Sequence, residues 1–283
     1  MKLAGHTHAF REVGLDVFTT VDRIAALGFD GIEVAARPGV FTVEASPQQR
    51  ADLRAHIARS GLELVNIACY SGGEEHGLNA ADGSVRAAAE RGIEKHLHLA
   101  ADLGSPCVRV FPGGEPGHDG VRADPRRALE MSVSGIQRLA TLAMDLGVTL
   151  LIENHPYSIA GSAEQTVRIV EAVARPNVRI LYEPSNLLVY AGRDDHHHGF
   201  DIQKLWIHHV HIKDHIRKPD GTYDAAVPGR GIMPWPDILA WLVSATYHSF
   251  LTLELAWTDD LENRQSELEE GLAHLRSLIE AAG

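Results

Sequence analysis

Cysteine is almost absent from this 283-residue chain: Cys69 and Cys107 are the two, with no Cys-x-x-Cys pair. Two thiols build neither a disulfide framework nor a thiolate zinc cluster, and they suit a reducing compartment. No stretch approaches the roughly 18 consecutive apolar residues that a membrane span needs. The N-terminal Met1-Lys2-Leu3-Ala4-Gly5-His6 runs straight into a strand-like segment. It carries no apolar signal core with a cleavage site, so no secretory leader is read and a cytoplasmic location is expected. Positive charge is scarce as well, with 26 Lys and Arg against 38 Asp and Glu, a net charge of −12. Nucleic-acid binding depends on neutralising phosphates with Lys and Arg, so this balance argues against a DNA or RNA partner. No linker, low-complexity tract or second domain interrupts the chain. No glycine-rich phosphate turn follows the first strand-like run, which disfavours a doubly wound open sheet.

What is present is a regular alternation. Apolar, often β-branched runs occur at 3–8, 31–35, 63–69, 107–111, 149–153, 179–183, 208–213 and 251–255. Nearly all lack clean polar alternation, as expected of strands covered on both faces in a parallel sheet. Helical periodicity fills the gaps at 17–27, 47–60, 85–103, 125–146, 164–174, 236–245 and 261–281. The Ser46-Pro47 start and the glycines at 28, 61, 104 and 147 read as helix boundaries. Eight strands alternating with seven helical segments predict one (β/α)₈ TIM barrel domain over residues 1–283, a normal length for that fold. Cys69 then ends one strand and Cys107 begins the next, so the two should lie at opposite ends of the barrel without a disulfide. The longer loops, 71–82, 112–124, 187–200 and 215–235, all follow the carboxyl ends of strands, where such barrels place their sites.

Chemistry is concentrated in the last four strands. They read Leu151-Ile152-Glu153-Asn154-His155, Leu181-Tyr182-Glu183-Pro184-Ser185-Asn186, His209-Val210-His211-Ile212-Lys213-Asp214 and Leu251-Thr252-Leu253-Glu254-Leu255. A carboxylate buried alone in a strand is strongly penalised. Three carboxylates converging with a histidine at one rim repel one another unless a cation lies between them. Oxygen and nitrogen donors in that proportion suit Mn²⁺ first, with Mg²⁺, Co²⁺ and Zn²⁺ as alternatives. The bland alternative is a set of unrelated strand-end polar residues facing solvent.

These residues, together with Gly28-Phe29-Asp30-Gly31-Ile32-Glu33 and Pro228-Gly229-Arg230-Gly231 followed by Pro234-Trp235, resemble the xylose isomerase-like sugar phosphate isomerase/epimerase superfamily. That group includes ketose 3-epimerases, inosose dehydratases and isomerases, hydroxypyruvate isomerases and endonuclease IV. The resemblance covers essentially the whole barrel. It implies Glu153, Glu183, His211 and Glu254 as ligands of one divalent ion. The second ligand is usually Asp, and Glu183 is one methylene longer, so either direct ligation or a supporting contact is open. Asn186 stands where many epimerases carry a substrate-contacting histidine, and Arg217 follows His211 at the spacing of a substrate-contacting arginine. The extra donors of a three-metal endonuclease site are missing, since the corresponding strand ends are Ala35, Cys69-Tyr70 and Phe111.

The expected activity is isomerisation or epimerisation of a ketose or related polyhydroxylated carbonyl compound, by proton abstraction next to a metal-bound carbonyl. Glu153 and Glu254, on strands five and eight, are the expected acid–base pair. Loss of a β-leaving group after the same first step would make the protein a lyase or dehydratase on a keto-sugar, keto-inositol or oxidised glycoside. A non-catalytic barrel binding a carbohydrate or a partner subunit is the alternative from another class. His6, His8, His155 and His209 are further substrate-binding candidates, each with a packing or supporting role as its alternative. Glu33 is read as a partner for a nearby histidine or arginine. Lys213 is read as either a contact for a substrate oxygen or, preferred, an ion pair with Asp214. Asp194-Asp195-His196-His197-His198 reads as a flexible loop with adventitious metal affinity, and Trp235 and Trp257 as sugar-stacking or packing residues. No Lys/Arg cluster marks a phosphate site, so the expected partner is an unphosphorylated sugar or polyol, with no membrane; a homo-oligomer is compatible.

Overall fold

The eight apolar runs form eight parallel strands that close on themselves. In a computed structural model the barrel strands are β1 (Lys2–His6), β2 (Gly31–Ala36), β3 (Glu63–Cys69), β4 (Cys107–Val110), β5 (Thr149–Glu153), β6 (Val178–Tyr182), β7 (Ile207–Ile212) and β10 (Phe250–Leu253). Their order round the barrel is β1-β10-β7-β6-β5-β4-β3-β2. The chain is a single-domain (β/α)₈ TIM barrel. The structure describes all residues except 71–73, 118–119, 122–123, 190–191, 193–194, 256–259 and 283, and the side chains of these except 11–12 and 74–76.

Helices α1 (Val17–Leu27), α2 (Pro47–Arg59), α3 (Gly83–Leu103), α4 (Pro125–Asp145), α5 (Ala163–Val173), α8 (Trp235–Ser244) and α9 (Leu261–Ala282) lie between or after the strands. Local chemistry sets their ends. Ser46 and Gln49 form a reciprocal capping box ahead of Pro47, and left-handed glycines close α1 and α3.

Three expectations change at the carboxyl ends of the strands. β1 stops at His6, and Thr7–Val13 is a 3₁₀ helix in which the His8 N–H donates to His6 Nδ1. The expected 187–200 loop contains helix instead: α6 (Pro184–Val189) begins on a proline, and α7 (His196–Gln203) is capped by Asp195 accepting from the His198 N–H. The histidine run therefore opens a helix; Asp194 lies outside the described residues. The 215–235 loop carries an antiparallel hairpin of β8 (Asp214–Arg217) and β9 (Tyr223–Ala226). Among the described residues no helix is long and apolar enough to cross a membrane.

Strand alternation decides what fills the barrel. Cys107, Leu151 and Leu181 form an apolar cluster apart from the main core between sheet and helices. Two residues further along the same faces stand Arg109, Glu153 and Glu183. The interior is thus apolar below and polar above. Both cysteines are buried, and they are not joined in a disulfide.

Candidate functional site

β7 organises the site because His209 and His211 share its inward face, with Lys213 just past its end. His211 is 1% exposed. Its Nε2 lies 3.0 and 3.1 Å from the two oxygens of Glu33. Its Nδ1 faces the opposite way, 3.0 Å from Glu254 Oε2 and 3.9 Å from Glu153 Oε1. Burial opposes charge on this imidazole, but Glu33 and Glu254 outweigh it and push its pKa up to about 10.

Glu33 on β2 anchors the layer beneath the mouth. It is fully buried and accepts from Asn66 Nδ2 at 2.9 Å and His209 Nε2 at 3.1 Å, while His6 Nε2 lies 3.3 Å away. Burial would raise its pKa, yet His211, His6 and His209 hold it well below the usual carboxylate range. His209 also bonds Thr252 Oγ1 at 2.7 Å. It therefore sits with the supporting layer and not on the cavity wall, where its candidacy for substrate contact would put it.

Above this layer, ligand atoms of Glu153, Glu183 and His211 lie within 4.8 Å of one another. Glu183 is oriented from both sides. Its Oε1 accepts from the Ser185 N–H at 3.0 Å and the Ser185 hydroxyl at 2.6 Å. Its backbone is clamped by Asn154, which donates to the Glu183 carbonyl at 2.6 Å and accepts from the Glu183 N–H at 3.0 Å. That leaves Glu183 Oε2 and His211 Nδ1 buried without a well-formed hydrogen bond, each in ion-pair contact only, with Lys213 Nζ at 3.4 Å and with Glu254 Oε2 at 3.0 Å respectively. Buried polar atoms are rarely left so. Two such atoms, facing a cluster of carboxylates, fit a divalent cation. Burial raises the Glu183 pKa, which a cation would oppose. Glu254 stands beside the trio through its contact with His211 and is 3.1 Å from Lys213 Nζ.

Lys213 corrects one expectation. Its ammonium does not pair with Asp214 but reaches Glu254 and, at 3.4 Å, Glu183 Oε2. Asp214 instead accepts backbone N–H groups of His215, Gly229, Gly231 and Met233 at 2.8–3.1 Å.

A cavity of about 400 Å³ opens over the cluster, lined among others by His8, Tyr70, His155, Asn186, Lys213 and Glu254. His8 reaches it from the 3₁₀ turn, stacked on Tyr70 with ring centroids 5.2 Å apart. The His155 Nδ1–H donates to the Pro156 carbonyl at 2.7 Å, and burial lowers its pKa to about 4, leaving a neutral ring. Asn186 Nδ2 donates to the Asn154 carbonyl at 3.0 Å and lies 3.4 Å from Glu153 Oε1. His6 is enclosed beneath, and Arg217 is exposed on β8, so neither lines this cavity. Trp235 is fully buried, with its Nε1–H on the Lys213 carbonyl at 3.1 Å; it packs instead of offering a stacking face. Trp257 lies outside the described residues.

Arg109 was missed. It is 2% exposed on β4, 3.4 Å from Glu153 Oε2, with its guanidinium 4.5 Å from the Tyr70 ring centroid and 4.4 Å from that of Phe111. Burial opposes ionisation of Glu153, but the Arg109 guanidinium, with Lys213, holds its pKa below the usual value. A charged residue inside Cys107-Val108-Arg109-Val110 is the same anomaly that marked the later strands and could have revealed it. Tyr70 carried no such signal; burial pushes its pKa up to about 12.

A family model for the xylose isomerase-like TIM barrel matches residues 21–278. The chain belongs to this family. Among curated relatives, the D-psicose 3-epimerase of Agrobacterium fabrum is 26% identical over 245 residues, 83% of this chain and 77% of that protein. The inosose dehydratase of Geobacillus thermodenitrificans is 25% identical over 139 residues, 44% of this chain and 46% of that protein. A solved D-psicose 3-epimerase from Clostridium cellulolyticum superposes with a TM-score of 0.82 over 99% of each chain at 21% identity. In this xylose isomerase-like barrel, the relatives are thus sugar epimerases and dehydratases, and the buried His/Glu cluster is consistent with a divalent-metal site at the carboxyl end of the strands.

Proposed function

We propose that the chain is a divalent-metal-dependent isomerase or epimerase of a ketose or related polyhydroxylated carbonyl compound. The observation that carries this reading is the pair of buried carboxylates, Glu153 and Glu254, flanking His211 Nδ1 below a polar cavity. Glu153, Glu183, His211 and Glu254 would hold the ion, Mn²⁺ first. When bound, it supplies Lewis acidity that makes a carbon next to the substrate carbonyl easier to deprotonate. One carboxylate takes the proton and the other returns one, to the opposite face for epimerisation or to the neighbouring carbon for isomerisation. Glu254 lines the cavity and is the better placed to meet substrate first; Glu153 lies deeper, between Arg109 and Asn186. His155, a neutral ring, and Asn186 present donors and acceptors that orient hydroxyl groups, with His8 beside them on the cavity wall, and Tyr70 and Phe111 exclude water beside Arg109.

A second reading, elimination from a keto-sugar, keto-inositol or oxidised glycoside, is favoured by Lys213. Its ammonium lies on the cavity wall beside Glu254, where a departing hydroxyl could be stabilised. The test is NMR in D₂O on a panel of ketoses and inososes with Mn²⁺-loaded protein. Wild type should place deuterium at the carbon next to the carbonyl, and Glu153→Gln and Glu254→Gln should each lose about 10³-fold in turnover. An enone absorbance would select the elimination reading. Product free of solvent deuterium, or either variant with wild-type turnover, would overturn the proton-transfer scheme.

A further inference from the structure

Lys213 is an unusual neighbour for a metal site. Its Nζ lies 3.4 Å from Glu183 Oε2 and 3.1 Å from Glu254 Oε2. Glu183 Oε2 is the oxygen left over after Ser185 satisfies Oε1, and it has no hydrogen bond of its own. A divalent ion among Glu153, Glu183 and His211 would need that same oxygen. An ammonium and a divalent cation a few ångströms apart repel strongly in a buried site, where solvent screens them little. The Lys213 side chain has somewhere else to go: it is 21% exposed and lines the cavity with His155, Asn186 and Tyr70.

We propose that Lys213 is an internal counter-ion that competes with the metal for Glu183 and Glu254, and that on metal loading it turns into the cavity to hold a substrate oxygen. This rests on the metal-site reading above. The lysine keeps the carboxylate cluster compensated without an ion, and the ion in turn frees a cation for the substrate. Loading therefore completes the substrate site as well as the metal site. The oxygen it holds belongs to a neutral, oxygen-rich substrate, because Arg109, the guanidinium described beside the cluster, is already committed to Glu153 between two aromatic rings.

The test is a Mn²⁺ titration followed by electron paramagnetic resonance, combined with the D₂O exchange assay. Lys213→Met should bind Mn²⁺ about ten-fold more tightly than wild type and lose most of its kcat/KM. A residue needed only for structure would weaken both, so opposite signs are diagnostic. Lys213→Arg, which keeps the charge, should stay near wild-type affinity. If the methionine variant does not fold, Lys213→Gln, whose amide can still bond the carboxylates, should show the same tightening. Unchanged or weaker Mn²⁺ binding by a folded uncharged variant, with wild type binding normally, overturns the counter-ion role. Tighter binding with unaltered turnover overturns the substrate-holding role. Wild-type protein that takes up no Mn²⁺ overturns both this inference and the metal-site reading beneath it.

Discussion

At the scale of single residues, Glu33 shows how a buried charge can be stable. It is fully enclosed, and an isolated carboxylate there would protonate. Asn66, His209 and His211 donate to it, and His6 lies close by. In the proposed site, the contact to His211 Nε2 would fix which imidazole nitrogen remains for an ion, as a carboxylate behind a metal-binding histidine commonly does. A proton on His211 must leave before Nδ1 can bind metal. With its pKa raised to about 10, apparent Mn²⁺ affinity should rise with pH through the neutral and alkaline range and be weakest in acid. Glu33→Gln removes the main source of that elevation. Binding should then persist to lower pH, while the plateau affinity at high pH drops about 10–100-fold because the ring is less firmly held and less basic. Mn²⁺ titrations across pH check both; an unshifted profile would show that Glu33 does not govern His211.

At the scale of elements, β7 and the segment that follows it act together. The strand delivers His209 and His211 on one face, Lys213 follows just past its end, and Asp214 then gathers four backbone N–H groups, three of them from 229–233. This ties the loop that follows the hairpin to the strand end. Gly231 is required by close approach: a Cβ there would fall 2.1 Å from Asp214 Oδ1. Gly231→Ala should push the carboxylate away and break several charge-assisted bonds. A loss of about 3 kcal/mol follows, or a Tm lower by roughly 5 °C, with a raised KM because hairpin residues line the cavity. A melt and a substrate titration measure both; an unchanged Tm would mean that the loop is held elsewhere. The hairpin itself was invisible in the sequence. Tyr223-Asp224-Ala225-Ala226 has little strand propensity, and it pairs because β8 lies opposite.

At the scale of the whole molecule, closure of the barrel brings charges together from opposite ends of the chain, and folding must absorb their repulsion. Glu33 and His209 are 176 residues apart in sequence yet in contact. An ion that binds only this assembled cluster stabilises the native state by mass action. At Mn²⁺ near 100 times Kd the gain is about 2.7 kcal/mol, which for a chain of this size raises Tm by about 5 °C. Thermal melts with Mn²⁺ and with EDTA test this, and identical midpoints would count against a tight site.

The sequence by itself determined the barrel, because strand alternation, helix periodicity and capping are written within a few residues of each other. Ser46-Pro47 and the left-handed glycines needed no tertiary partner to be read. It also marked Glu153, Glu183, His211 and Glu254, since charge inside apolar strands is visible locally. Contacts between strands belong to the closed barrel alone. Nothing local to Lys213 said that it would pass over its neighbour Asp214 for Glu183 and Glu254. Nothing local to Arg109 joined it to Glu153 on the adjacent strand, or drew Glu33 across to β7. Those choices depend on which inward-facing side chains the closed ring sets at the same height, a property of register and closure that no short stretch of residues contains.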